Sequence, residues 1–286
     1  MTNPGPLTPA EHQRLLGAAR RIRESILGIV FHSGSGHVGA ALSQADVLVA
    51  LYHRYLRVDP ANPQWPERDR FVLSKGHGGL GLAAVLADRG FVAAEDLATF
   101  GRTGSALGMH MDHRKVPGVE ASTGSLGHGL GIAIGMALGA RLRGWPTRTY
   151  CLLSDGECYE GSIWEAAIAA PALGLGRLVA IIDRNRLTMD GFTEQEVPLE
   201  PLAKKWESFG WRTSTCDGHD YAAICDGLDA ALVESDRPAI LIADTIKGKG
   251  VDFMENQPKW HYGALDSEMY ARARASVRAL YEGSGG

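Results

Sequence analysis

The chain has 286 residues, with 45% hydrophobic and 22% charged side chains, the length and balance of a globular protein with one large core. A net charge of −4 supplies no basic surface for nucleic acid, and no apolar run approaches the ~20 residues of a membrane span. The opening residues lack the basic-then-apolar pattern of a signal peptide. Cys151, Cys158, Cys216 and Cys225 form no Cys-x-x-Cys pair and read as buried thiols in a reducing compartment, so a cytoplasmic location is expected.

Helical and strand patterns alternate along the chain. Thr8-Pro-Ala-Glu11 is a capping box with Pro at the first helical position, and it starts a helix running toward Val30. Ser43-Gln-Ala-Asp46 reads as the cap of a second helix through Tyr55. A Pro-rich loop at Asp59 to Pro66 precedes a short strand at Phe71 to Ser74. From Leu126 to Arg143 small residues (Gly131, Ala133, Gly135, Ala137, Gly139) recur among apolar ones, which predicts a closely packed helix. Strands follow at Thr149–Ser154, Leu178–Asp183, Arg212–Cys216 and Ala239–Ala243, with helices beginning near Gly161, Leu199 and Asp220. The alternation predicts an α/β fold, one parallel sheet flanked by helices on both faces, as a single domain over residues 1–286.

Asp155 and Asn185 close two neighbouring strand runs, with one helical segment between them. In open α/β sheets ligands bind outside the carboxyl ends of the strands. A carboxylate, an amide oxygen and a backbone carbonyl there suit a hard cation such as Mg²⁺ or Ca²⁺, and Mg²⁺ commonly completes its shell with phosphate oxygens. The segment therefore reads as a seat for a metal-bound diphosphate.

The run Ser154-Asp-Gly156 followed by Asn185 resembles the thiamine diphosphate signature in its transketolase form. Five further segments resemble transketolase loops, in order: Ser33-Gly-Ser-Gly-His-Val-Gly39, Arg70-Phe-Val-Leu-Ser-Lys-Gly-His77, Gly108-Met-His110 with Pro117-Gly-Val-Glu120, Ser122-Thr-Gly-Ser-Leu-Gly-His-Gly129, and Lys247-Gly-Lys-Gly-Val251 with Trp260-His261. The resemblance implies the diphosphate-binding (PP) fold of thiamine diphosphate enzymes. It implies that Asp155 and Asn185 ligate the metal through side chains and Leu187 through its carbonyl, and that Gly156 admits a diphosphate oxygen. Gly124 and Leu126 would lie on the loop that touches the cofactor, with His128 as a further candidate. His37, His77, His110 and His261 would line the channel above the reactive carbon, His77 and His261 also meeting the cofactor. Glu160 would sit at a subunit interface; a carboxylate favoured by a helix N-terminus is the plain alternative. Ser154 stands where the family has Gly: an extended Ser fits, a left-handed one is strained.

The implied reaction moves a two-carbon ketol unit from a ketose (phosphate) to an aldose (phosphate), the cofactor supplying the electron sink. The family's activating Glu belongs to a pyrimidine-binding domain with no counterpart in this sequence. The resemblance is therefore to the N-terminal subunit of a split transketolase, which is expected to work with a C-terminal partner subunit in an α₂β₂ assembly. Three other readings stand beside it: a specialised transketolase for a modified sugar, the α-subunit of a 2-oxo acid dehydrogenase or a deoxyxylulose-phosphate synthase relative, and a non-catalytic chain that keeps the fold.

Overall fold

The structure is a computed structural model that describes residues 4–282. Its frame is a five-stranded, wholly parallel sheet: β1 Arg70–Leu73, β2 Thr149–Ser154, β3 Leu178–Arg184, β4 Arg212–Asp217 and β5 Ala239–Asp244, in the order β1-β2-β3-β5-β4. β1, β2, β3 and β5 form because each is largely apolar and covered on both faces, whereas β4 is a polar, partly exposed strand at the sheet edge, held by its pairing with β5. Alternate side chains feed two cores. Phe71, Leu73, Tyr150, Leu152, Val179 and Ile181 point into one, while Val72, Cys151, Leu153, Ala180 and Ile182 point into the other.

The first core is roofed by α1 Pro9–Ser33, α2 Val38–Ser43, α3 Ala45–Ala50, α4 Gly79–Asp88, α9 Tyr221–Ala231 and α10 Ser267–Glu282. The second lies under α5 Gly129–Leu142, α6 Gly161–Ala172 and α8 Leu202–Ser208. A single turn, α7 Thr193–Glu196, lies beyond the end of β3. The capping box forms as predicted: Thr8 Oγ1 accepts from the Glu11 N–H, and the Glu11 carboxylate accepts from the Thr8 N–H.

Two expectations are corrected. The second helix begins earlier and is broken into α2, α3 and a π-turn at Leu51–Tyr55. Ser43 ends α2 instead of capping a helix, and its hydroxyl donates 2.6 Å to Asp183. Asp46 mimics a capping residue in sequence but is buried, receiving two bonds of 2.8 and 2.6 Å from the Arg23 guanidinium. The small-residue helix starts at Gly129, because Gly127 takes φ +85° in the preceding turn, a backbone state that side chains disfavour. Its Gly131 and Gly135 face open space. Cys151, Cys158 and Cys225 are buried as expected, whereas Cys216 is half-buried. Among the described residues no helix is long and apolar enough to cross a membrane.

Candidate active site

β2 and β3 pair with Ser154 beside Asp183, so Asp155 and Asn185 emerge side by side at the carboxyl edge. Ser154 stays in the strand, and it is not among the residues with positive φ. It therefore fits without strain, and its Oγ accepts from the Glu157 N–H at 3.2 Å. Asp155 is buried, and Gly156 N donates 2.8 Å to its Oδ1. Its Oδ2 accepts from the Arg186 N–H at 2.6 Å and from Arg184 Nη1 at 3.2 Å. Arg186 adopts φ +64°, which turns its N–H onto Asp155. Burial, and then the Asp183 charge, push the Asp155 carboxyl above its ordinary range.

Asp183 organises the floor. Burial raises its carboxyl, but the Lys75 ammonium paired with it holds it below the usual range. It also accepts from Ser43, Thr245 and Asn185 Nδ2, the last at 3.3 Å. That bond orients the Asn185 amide, whose Oδ1 accepts from Leu187 N at 3.1 Å. Lys247 is buried nearby, and burial lowers its ammonium to about 8. It donates to the carbonyls of Leu187 (3.1 Å) and Thr188 (2.6 Å) and lies 3.1 Å from His261 Nδ1. An ammonium offers no lone pair, so Nδ1 accepts and neutral His261 carries its proton on Nε2.

Three of the four predicted histidines meet. The His37, His77 and His261 rings stand 5.3, 5.3 and 5.4 Å apart pairwise. They come from the α1–α2 loop, the turn after β1 and the 3₁₀ turn Pro258–His261. Gly36 and Gly263 exchange two backbone hydrogen bonds as an antiparallel bridge, which joins the first and last of these loops. Burial lowers His37 and His261 to about 4 and His77 to about 2, assisted by neighbouring cations. His110 stays exposed beside the trio, and a methyl group on Gly124 would lie 3.2 Å from its ring. Met111, next in the chain, is buried and anchors that loop.

The remaining candidates separate. Glu160 is exposed at the start of α6, and no side-chain cap bond is made there. The buried carboxylate is Glu157, which the sequence did not single out. It accepts from Ser74 Oγ (2.5 Å), Gly127 N (2.8 Å) and Ser154 N (3.3 Å), tying the ends of β1 and β2 to the loop before α5, and burial raises its carboxyl. His128 is exposed at the start of α5, its Nδ1 3.1 Å from the Leu126 carbonyl. Gly76 shows why the second and fourth loops touch: a Cβ there would lie 2.7 Å from the Thr123 carbonyl.

These residues suit a cation-bound diphosphate. Among the described residues no group of three His, Cys, Asp or Glu could hold a metal alone. A cation here would use one carboxylate, amide and backbone oxygens and the ligand's own phosphate, the preference of Mg²⁺. A Cβ on Gly156 would meet only the Thr188 methyl, at 3.7 Å, so its backbone is open to close approach. His37 Nδ1 is buried without a protein partner, which marks it for a bound group.

Because the histidines titrate low, stability depends on pH in a definite sense. Their folded values lie below the unfolded ~6.5, so the native state binds fewer protons than the unfolded one. Stability is then present above pH 6.5 and is lost as pH falls toward 4. Imidazole ¹⁵N chemical shifts should titrate near pH 4 for His37 and His261; midpoints near 6.5 would refute the burial argument.

The family model for "Transketolase, thiamine diphosphate binding domain" matches residues 16–278. A 6-deoxy-6-sulfo-D-fructose transketolase subunit of Clostridium sp. (strain MSTE9) is 43% identical over 91% of this chain and 94% of its own length. An apulose-4-phosphate transketolase subunit of Phocaeicola vulgatus is 42% identical over 91% and 92%. The transketolase structure from Leishmania mexicana superposes with a TM-score of 0.87 at 28% identity, covering 94% of this chain and 44% of that one. The chain thus spans nearly all of the two subunits and less than half of the solved enzyme. With the family model matched from residue 16 to 278, the chain belongs to the transketolase family and carries its thiamine diphosphate binding domain.

Proposed function

We propose that the chain is the diphosphate-binding subunit of a two-chain transketolase, transferring a two-carbon ketol unit from a polyhydroxylated ketose to an aldose. The observation that carries this reading is the cluster of His37, His77 and His261, which Lys247 links through His261 to the Leu187 carbonyl next to Asn185 at the strand ends. Asp155, Asn185 and the Leu187 carbonyl would hold Mg²⁺ (or Ca²⁺), with Gly156 and the loop through Gly124 and Leu126 against the diphosphate. The bound cofactor supplies the electron sink for carbon–carbon cleavage. His261 holds a proton at Nε2 for a substrate oxygen, with Lys247 fixing the ring through Nδ1. His37 and His77, kept neutral by burial, can donate to or accept from hydroxyls without adding charge. His110 stands on the exposed side, toward the remainder of the sugar.

The partner supplies the pyrimidine-binding domain with its activating Glu, and the assembly is α₂β₂, acting on sugar phosphates in the cytoplasm. Relatives of matching length are named as subunits, and Ile132, Leu142 and Ile168 on α5 and α6 leave apolar surface exposed. A modified sugar as substrate is the favoured variant, because two relatives are named for 6-deoxy-6-sulfo-D-fructose and apulose 4-phosphate. The purified chain, given thiamine diphosphate, Mg²⁺, a ketose donor and an aldose acceptor, should be inactive until the partner is added. Full turnover by the chain alone would overturn the two-chain reading.

A further inference from the structure

Beyond the three clustered histidines, one further ring packs against the same group. In the bridge between Gly36 and Gly263, antiparallel pairing sets Tyr262 directly across from His37. The two rings meet edge to face, with centroids 4.9 Å apart and planes at 74°. Ser35 lies diagonally across the same bridge, and its Oγ is 2.7 Å from the Tyr262 hydroxyl. Tyr262 is 45% exposed, although it stacks on a histidine that is itself packed against His77 and His261. The Ser35–Tyr262 pair therefore forms the solvent-side layer of the histidine cluster.

The chemistry of the pair is definite. Two hydroxyls sharing one hydrogen bond use one of their two protons, leaving one O–H donor and several lone pairs unspent. The backbone bridge fixes both groups, so offering them to a ligand costs little ordering entropy. A donor–acceptor pair without charge suits a sugar hydroxyl, not a phosphate or carboxylate, which would call for a cation.

We infer that Tyr262 and Ser35 are specificity-determining residues that bind a hydroxyl of the ketose beyond its reacting carbonyl, so that this chain itself selects polyhydroxylated donors. The inference rests on the transketolase reading above. It separates donors by structure. A ketose phosphate carries hydroxyls beyond the carbonyl and would use the pair, whereas hydroxypyruvate delivers the same two-carbon unit with none there. Removing one neutral hydrogen bond to a substrate hydroxyl is worth roughly five- to tenfold.

The test uses the chain assembled with its partner, thiamine diphosphate and Mg²⁺. D-fructose 6-phosphate, D-xylulose 5-phosphate, 6-deoxy-6-sulfo-D-fructose and hydroxypyruvate serve as donors, each with an aldose acceptor. Tyr262→Phe keeps the ring against His37 and removes only the hydroxyl; Ser35→Ala removes the other half. Each should lower kcat/KM for the best polyhydroxylated ketose by about five- to tenfold and leave hydroxypyruvate within about twofold. The double variant should lose little more than either single one, because the hydroxyls act as a unit. Equal losses for both donor classes would assign the pair to the bridge alone and overturn the inference while leaving the transketolase reading intact. No change with any donor would do the same, as would a wild-type assembly that uses hydroxypyruvate but no polyhydroxylated ketose. A wild-type assembly that turns over no donor would overturn the transketolase reading itself, and the inference with it.

Discussion

Asp155→Asn is expected to abolish cation-dependent cofactor binding while leaving the fold intact. Mutating groups that only support metal ligands costs 10–100-fold in affinity or activity, so loss of the one carboxylate at this site should reach about 100-fold or more. The environment separates ligation from scaffolding. Burial and the Asp183 charge already disfavour the ionised form of Asp155, so a neutral isostere relieves a cost in the folded state. Arg184 keeps Glu194 and Glu200 as partners, at 2.7 and 2.9 Å. Titration calorimetry of thiamine diphosphate with Mg²⁺ should then show the affinity collapse, and urea unfolding should show a loss of no more than about 1–3 kcal/mol, since relief of the buried charge offsets the N–H donors that the amide nitrogen cannot accept from. A matching collapse in stability would mean that Asp155 is a structural group and not a ligand.

Lys75→Met should be among the most destabilising single changes in the chain. Lys75 and Asp183 are both fully buried and paired, and removing one partner of a buried ion pair costs about 3–5 kcal/mol by leaving the other charge uncompensated. Ser43, Thr245 and Asn185 still bond to Asp183, but neutral donors do not replace a counter-ion. The loss should be recovered only in part in Lys75→Met combined with Asp183→Leu, since the uncompensated charge is gone but Ser43, Thr245 and Asn185 lose their acceptor. The rescued protein should bind cofactor poorly, because Asp183 also orients the Asn185 amide. Midpoints of urea unfolding for both variants check the first part and calorimetry the second. A Lys75→Met loss below about 1 kcal/mol, the scale of an exposed pair, would refute the buried-charge account.

The legible and illegible parts of this protein divide by range. β2 falls on the predicted residues and β3 to β5 extend theirs by one; for β2, β3 and β5 the reason is that apolar runs bounded by turn residues are local signals, while β4 is a polar, β-branched edge strand. The Asp155 and Asn185 strand ends were legible for the same reason. The misread second helix shows the limit of local pattern. Ser43 and Asp46 have capping spacing, yet each is claimed by a group far along the chain, Asp183 and Arg23. Glu157, Lys75 and Asp183 were missed as functional groups because their value lies in tertiary pairing. One signal was present: Asp183 ends a run otherwise buried on both faces, and a charge there requires a buried partner. Lys247 lay inside a recognised motif without a role. Tyr262 followed a recognised pair, but only the bridge between Gly36 and Gly263 sets it beside His37.

That bridge also governs when the channel comes into being. His37 and His77 leave the ribosome early, whereas His261, Tyr262 and Gly263 follow more than half a chain later. At 5–20 residues per second the interval is on the order of ten seconds or more. The sheet can assemble strand by strand in that time, but the histidine stack cannot close, because it depends on a contact between nearly opposite ends of the sequence. Closure of the proton-handling side is thus a finishing step of biogenesis, and a chain arrested after β5 would hold the cation-side oxygens of the site without it.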